Sequence, residues 1–417
     1  MLKDIIYNMT KTEERQSKYA ELILKAGLGF KKGMCISITS EIEAYPFARK
    51  IAECAYKMGA KYVYIEPRDL YLQAVRTNTQ NKDNIGYYPE FLRAYDKERV
   101  NEKWGRISID STESFDALKN ANEEMNLIYT RENRKATEIY HNAVINHTIP
   151  WVVICVPGIK WTKKTLGENA TEDDMWDLIA PILYLDEDDP VKKWFELTAD
   201  MKKRRTAFNN LKIKKLHYTA EGTDFTVGFN DNALWMGGEQ VMEDGTVFIP
   251  NLPTFEIYTA PDYKTASGYI TTKRPVNVQG DKVEEARFEF ENGKVVKVSA
   301  KSGQKAIENY LNIDEGTPYL GEIALVDNAS PISKSKKIFT SILYDENASC
   351  HIALGSAYPD CVKGGKQADT DEKKHALGLN TSIEHTDFMV GDETLNIVAT
   401  LKDGSQKQIM KNGLFVI

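Results

Sequence analysis

The spacing of apolar positions changes once along this chain, from helical runs broken by short apolar strands in the first half to alternation in the second. Between 12 and 27, Tyr19, Leu22, Ile23 and Ala26 recur at helical spacing, and Gly27 and Gly29 end the run. MCISITS (34–40) predicts a strand, 45–58 a helix closed by Gly59, and KYVYIEP (61–67) a second strand. A strand–helix–strand unit of this length implies a crossover and parallel pairing. Further helices are predicted at 70–76, 89–104 and 123–145, with strands at 106–109 and 151–156. The region to about 185 therefore predicts helices on the faces of a largely parallel sheet, and a charge-rich helix over 190–209 follows it.

After that helix the period becomes two. KKLHYTAEGTDFTVGF predicts strand, turn and strand, and TVFIPNLPTFEIYTA an extended run interrupted by Pro250 and Pro253. ARFEFENGKVVKVSA is a hairpin turned at Asn292-Gly293, and LNIVATLKDGSQKQIM one turned at Asp403-Gly404. Between them lie a helix (304–311) and a strand (320–326). In 341–392, Asp345 and Glu346 lead into a run of small apolar residues that predicts a helix, with His351 and Tyr358 two turns apart on one face. The segment 383–390 predicts a short strand on which His385 and Asp387, at i and i+2, share one side of the pleat. The expected architecture is mixed α/β and α+β. An N-terminal α/β domain (1–205) carries a largely parallel sheet, and a β-rich C-terminal domain (206–417) carries the chemistry.

Composition narrows the function. A chain of 417 residues with 42% hydrophobic and 10% aromatic residues can bury a substantial core. A net charge of −7 with interspersed acids and bases disfavours a nucleic-acid partner. The N-terminal segment has no apolar core of a signal peptide, and no run reaches the length of a membrane span. Five scattered cysteines without C-x-x-C spacing point to reduced thiols and a cytoplasmic location. Gly27, Gly29 and Gly33 precede a strand with no helix opening after them, so they are not a dinucleotide fingerprint.

The candidate chemistry lies in acids that break apolar patterns. Glu256 stands in TFEIYTA and Glu322 in LGEIALV, where a buried carboxylate is costly unless paired or bound to a cation. Taken singly, each reads as a strand residue facing solvent. Three of the chain's six histidines, however, fall in 341–392 beside acids. Glu256, Glu322, Glu346, His351, His385 and Asp387 together make an oxygen and nitrogen ligand set without thiolates. It suits two divalent ions bridged by a carboxylate, Zn, Co or Mn (with Mg admissible) in preference to Ca. On an ideal helix Glu346 would stand about 140° from His351, so it joins the site only from the helix start. Cys350 is expected to be buried packing, and His375 a surface residue.

These segments resemble the aminopeptidase T and aminopeptidase S family of metallo-aminopeptidases over nearly the whole length. The likeness begins in KYAELILKAGLGFKKG and AYKMGAKYVYIEP and continues through GGEQVMEDGTVFIPNLPTFEIYTAPD and LGEIALVDNASPIS. It is densest in LYDENASCHIALGSAYP and GLNTSIEHTDFMVG. The resemblance implies metal ligands at Glu256, Glu322, Glu346, His351, His385 and Asp387. It also implies Tyr358 and Glu322 as catalytic side chains, peptide substrates with a free N-terminus, and a homodimer. Two other readings remain compatible with the residues: a metal-dependent hydrolase of another amide or a phosphoester, and a non-catalytic α/β binding protein.

Overall fold

The strands β1 (Cys35–Ser40), β2 (Tyr62–Pro67), β3 (Gly105–Ile109) and β4 (Trp151–Ile154) are joined through helices, and their pairings are parallel. A helical crossover returns the chain to the same end of the sheet, as parallel pairing requires. A later two-residue strand, β5 (Asn251–Leu252), adds to β4 in the same sense, giving the order β2-β1-β3-β4-β5. The structure, a computed structural model, describes residues 9–110, 112–278 and 280–417. The chain forms two compact units, 1–196 with 240–252, and 197–239 with 253–417.

In the first unit Thr10 and Glu13 form a capping box on the helix Lys11–Leu22, which continues as one π turn to Gly27. Arg15 on this helix is buried and grips Asp186 with two bonds, Nε to Oδ1 at 2.7 Å and Nη2 to Oδ2 at 2.8 Å, while Nη1 holds Asp177. The helix expected over 123–145 is two, Glu123–Ala136 and Glu138–Ile145. They part at Thr137, whose hydroxyl bonds back to the Asn133 carbonyl at 2.9 Å. Helices Ile159–Leu166 and Glu172–Leu183 were not foreseen, although Thr171 and Asp174 form a capping box at the second.

The second unit is mainly antiparallel. Its larger sheet has eight strands, including the hairpin Arg287–Glu291/Lys294–Ser299. There Asn292 and Gly293 adopt positive φ (49° and 86°), as a tight hairpin turn demands. The smaller sheet is antiparallel throughout, in the order β6 (Glu256–Thr259), β7 (Leu320–Val326), β8 (His351–Gly355) and β9 (His385–Met389). Alternation sends Ile257, Ile323, Leu325, Ile352, Leu354 and Phe388 into a core shared with Leu216, Phe225, Phe288 and Ile397 of the larger sheet.

The helix expected to carry His351 and Tyr358 is absent; His351 opens β8, and Tyr358 lies beyond the strand's end, just before a 3₁₀ turn at Pro359–Cys361. All five residues of β8 are buried, because it is a central strand between β7 and β9. A short strand covered on both faces reads as an unbroken apolar run, which periodicity alone does not separate from a buried helix.

Candidate metal centre

Residues directly opposite one another in an antiparallel pair share a face, as do alternate residues along a strand. Glu322 of β7 lies opposite Ala353 of β8, and Ala353 lies opposite Asp387 of β9. His351 and His385 are the alternate neighbours of Ala353 and Asp387 on their strands. Glu256 of β6 is opposite Val326, which is in phase with Glu322 along β7. Five candidate residues therefore project from one face of the four-stranded sheet, the face turned away from the apolar core. Glu346 comes from a 3₁₀ turn, Glu346–Ala348, that leads into β8. The angular objection to it disappears because no helix joins it to His351.

The register needs small residues at close approaches. Gly355, opposite His385, has φ +109°, and a Cβ there would stand 2.2 Å from the Glu384 carbonyl oxygen. At Gly321 a Cβ would stand 2.2 Å from the Ser356 carbonyl oxygen, a group that orients a histidine of the site.

The donors converge. His351 Nε2 lies 3.3 Å from Glu256 Oε2, 3.6 Å from Glu322 Oε1 and 4.0 Å from Asp387 Oδ1. His385 Nε2 lies 3.7 Å from Glu322 Oε2 and 3.6 Å from Asp387 Oδ1. One donor atom from each of Glu256, Glu322 and His351 falls within 4.8 Å of the others. Both imidazoles are fixed from behind. His351 Nδ1 donates to the Ser349 carbonyl at 3.2 Å and His385 Nδ1 to the Ser356 carbonyl at 2.7 Å. That arrangement turns Nε2 of each ring to the carboxylates, so that a neutral ring presents its lone pair there, as a ligating histidine requires.

Burial raises the pKa of Glu322 against the opposing influence of the nearby His351, and burial followed by the charges of Glu256 and Asp387 holds Glu346 well above the carboxylate range. At Asp387 burial is outweighed by the charge of His385, and the pKa falls. Burial opposes a proton on either histidine. The adjoining carboxylates of Glu256 and Glu322 nevertheless hold His351 well above its usual value, and the charge of Asp387 lifts His385 to about 9.

Tyr358 packs its ring 5.1 Å from that of His385 and 5.9 Å from that of Tyr258, and is 39% exposed. Desolvation around its hydroxyl, then the charges of Glu322 and Asp387, raise its pKa well above the ordinary phenol value, so it keeps its proton. Cys350 is buried, with its sulfur against the Val326 carbonyl and the Met410 sulfur, and His375 is exposed.

Residues 12–415 match the family model described as thermophilic metalloprotease (M29). The chain belongs to this family. It is 34% identical to Aminopeptidase 2 of Geobacillus stearothermophilus across 97% of this chain and 98% of that one. It is 30% identical to Aminopeptidase T of Thermus aquaticus across 97% and 99%. The solved structure of wild-type AmpT from Thermus thermophilus has a TM-score of 0.87 at 28% identity, covering 97% of this chain and 99% of that one.

Membership of the thermophilic metalloprotease family makes the chain an enzyme and implies a divalent metal, and the donor set fits one. Glu256 Oε2 and Asp387 Oδ1 are buried and make no hydrogen bond within the protein. Such atoms are costly unless a cation faces them. Donors about 2.0–2.2 Å from one ion stand about 3.0–3.5 Å apart, close to the Glu256–His351 separation. Sequence reasoning missed the groups that contact the candidate site residues: the Ser349 and Ser356 carbonyls, Tyr258 packed on Tyr358, and the buried Asn347 beside Glu346. The carbonyls are invisible to any residue pattern, whereas the asparagine stood next to a candidate acid.

Proposed function

We propose that the chain is an aminopeptidase that removes residues from the free N-terminus of peptides, using two divalent ions held by Glu256, Glu322, Glu346, His351, His385 and Asp387. The observation that carries this reading is the pair of buried carboxylate oxygens without hydrogen bonds, set beside two imidazoles whose Nδ1 atoms are already engaged. Glu322 faces His351 with Oε1 and His385 with Oε2, so its carboxylate would help to hold an ion taken up beside either imidazole. Four carboxylates, two imidazoles and no thiolate suit Zn, Co or Mn, with Mg admissible.

Bound there, divalent ions supply Lewis acidity at the scissile carbonyl and lower the pKa of the attacking water. The remaining steps belong to side chains. The acid-rich face attracts the α-ammonium of the substrate, which places the first peptide bond, and no later one, at the site. Tyr358 donates its phenol hydrogen bond to the oxyanion that develops on the carbonyl, and Glu322 holds the two imidazoles in register.

We extend the reading to a homodimer in a reducing compartment. Leu72, Val75 and Leu127, on two helices of the first unit, are 61%, 57% and 54% exposed, apolar surface of the kind an interface covers. All five cysteines are free. Among the described residues no helix is long and apolar enough to cross a membrane.

The test is chelation. Hydrolysis of aminoacyl chromogenic substrates should vanish on exhaustive removal of metal and return with Co, Zn or Mn. Full activity after chelation and dialysis would sink the reading. A phosphoester panel run beside it separates peptide from phosphoryl chemistry.

A further inference from the structure

The carboxylates of the site are held by elements of unequal rigidity. Five of the six candidate ligands sit on paired strands, with Glu256, His351 and His385 each at the first residue of theirs, whereas Glu346 sits on one 3₁₀ turn. No strand ladder fixes Glu346. One side chain connects it to the Glu256 strand. Asn347 is fully buried, and its Oδ1 accepts the backbone N–H of Phe255, the residue before Glu256, at 2.7 Å. Its Nδ2 donates to the Leu343 carbonyl at 3.1 Å and to Glu346 Oε1 at 3.3 Å. The orientation of this amide is not ambiguous. A backbone N–H only donates and a backbone carbonyl only accepts, so a flipped amide would lose both bonds.

We propose that Asn347 is a positioning residue of the metal centre, whose one amide fixes the Glu346 carboxylate and the start of the Glu256 strand to each other. The inference rests on the reading of Glu256 and Glu346 as ligands. The bond to Oε1 sets the rotation of the Glu346 carboxylate. The bond from Phe255 sets where β6 begins, and so the height of Glu256 on its face. Aspartate has the same shape and retains an acceptor for Phe255. It would, however, turn an oxygen toward the Leu343 carbonyl and the Glu346 carboxylate, exchanging two attractive contacts for repulsive ones. Residues that orient ligands in this way change metal affinity by about 10–100-fold when altered.

Two variants separate positioning from general support. Ser330 donates its hydroxyl to the Asn347 backbone carbonyl at 3.3 Å, so Ser330→Ala loosens the same turn without touching the amide. The probe is Co²⁺ alone, titrated into metal-free full-length protein and read by calorimetry and by the visible spectrum of the ion. Asn347→Asp is expected to bind Co²⁺ about 10–100-fold more weakly with an altered spectrum, while Ser330→Ala keeps the wild-type affinity and spectrum. Wild-type affinity and spectrum in Asn347→Asp would overturn the proposal, as would an equal loss in Ser330→Ala. If the aspartate variant yields no folded protein, Asn347→Ser takes its place in the same titration. A wild-type protein that takes up no Co²⁺ would instead refute the ligand reading itself, which is a distinct result.

Discussion

Glu322 and Asp387 lie on strands that do not touch, each directly opposite Ala353 in the strand between them. Two carboxylates are thereby set on either side of a methyl group. On β7 the residue opposite His351 is Ala324, also small. The site has room because the central positions on this face carry almost no side chain. The same strands on their other face carry Ile323, Ile352, Leu354 and Phe388 packed into the core.

Two substitutions on β8 should therefore behave in opposite ways. Ala353→Val suits a strand, but places two methyls between Glu322 and Asp387 where about 1–3 kcal/mol of overpacking is expected. Ile352→Val, on the core face, should cost about 0.5–1.5 kcal/mol and leave the site intact. Bound metal and melting temperature of both variants decide the matter. Loss of metal in Ala353→Val with retention in Ile352→Val is expected, and the reverse would mean that the two faces have been assigned wrongly.

A second expectation concerns the substrate's amine. If the acidic face receives an α-ammonium, acetylating the N-terminus removes the charge that places the peptide. The free and N-acetylated forms of one short peptide should differ strongly in kcat/KM. Equal rates would make the enzyme an endopeptidase or a hydrolase of another kind.

Legibility in the sequence tracked how periodic each segment is. The parallel strands of the first unit, the 304–311 helix, the 320–326 strand and the Asn292-Gly293 turn could be read because pattern and turn chemistry agree there. His385 and Asp387 share a strand face, as the alternation in EHTDF predicts. The failure came at HIALG, where burial of both faces erased the alternation and small residues imitated a helix. That error also misdirected the route by which Tyr358 approaches: it comes from the loop leaving β8, not from a helix face. Strand β5 was not legible, because two residues between prolines carry too little pattern to name a partner sheet.

The first unit offers a pH test. The two-bond grip of Arg15 lowers the pKa of Asp186, and its bond to Asp177 lowers that one too. A carboxylate with a depressed folded-state pKa stabilises fully above its unfolded value, about 3.9, and loses that contribution as pH falls through the folded value. Acidification below about pH 4 should therefore lower the melting temperature of the wild type more steeply than that of Arg15→Met. Parallel curves between pH 3 and 7 would show that the grip contributes nothing.

A role of Tyr358 in the chemical step can be separated by experiment from its packing against the His385 ring. Phenylalanine keeps both ring contacts, with His385 and with Tyr258, and removes only the hydroxyl. Loss of one such donor to a developing oxyanion costs about 10²–10³ in kcat. Because the bond matters mainly in the transition state, KM should change little. Bound metal should stay at the wild-type level, since the phenol is not one of the ligands assigned to the ions. Glu322→Ala is the contrast: it removes the carboxylate that faces both imidazoles, so metal and activity should fall together. Measuring metal content and kcat side by side for the two variants separates three outcomes. A Tyr358→Phe enzyme with normal metal and a kcat reduced by that factor supports oxyanion stabilisation. Near-normal kcat makes the tyrosine packing, and loss of metal makes it a support for His385.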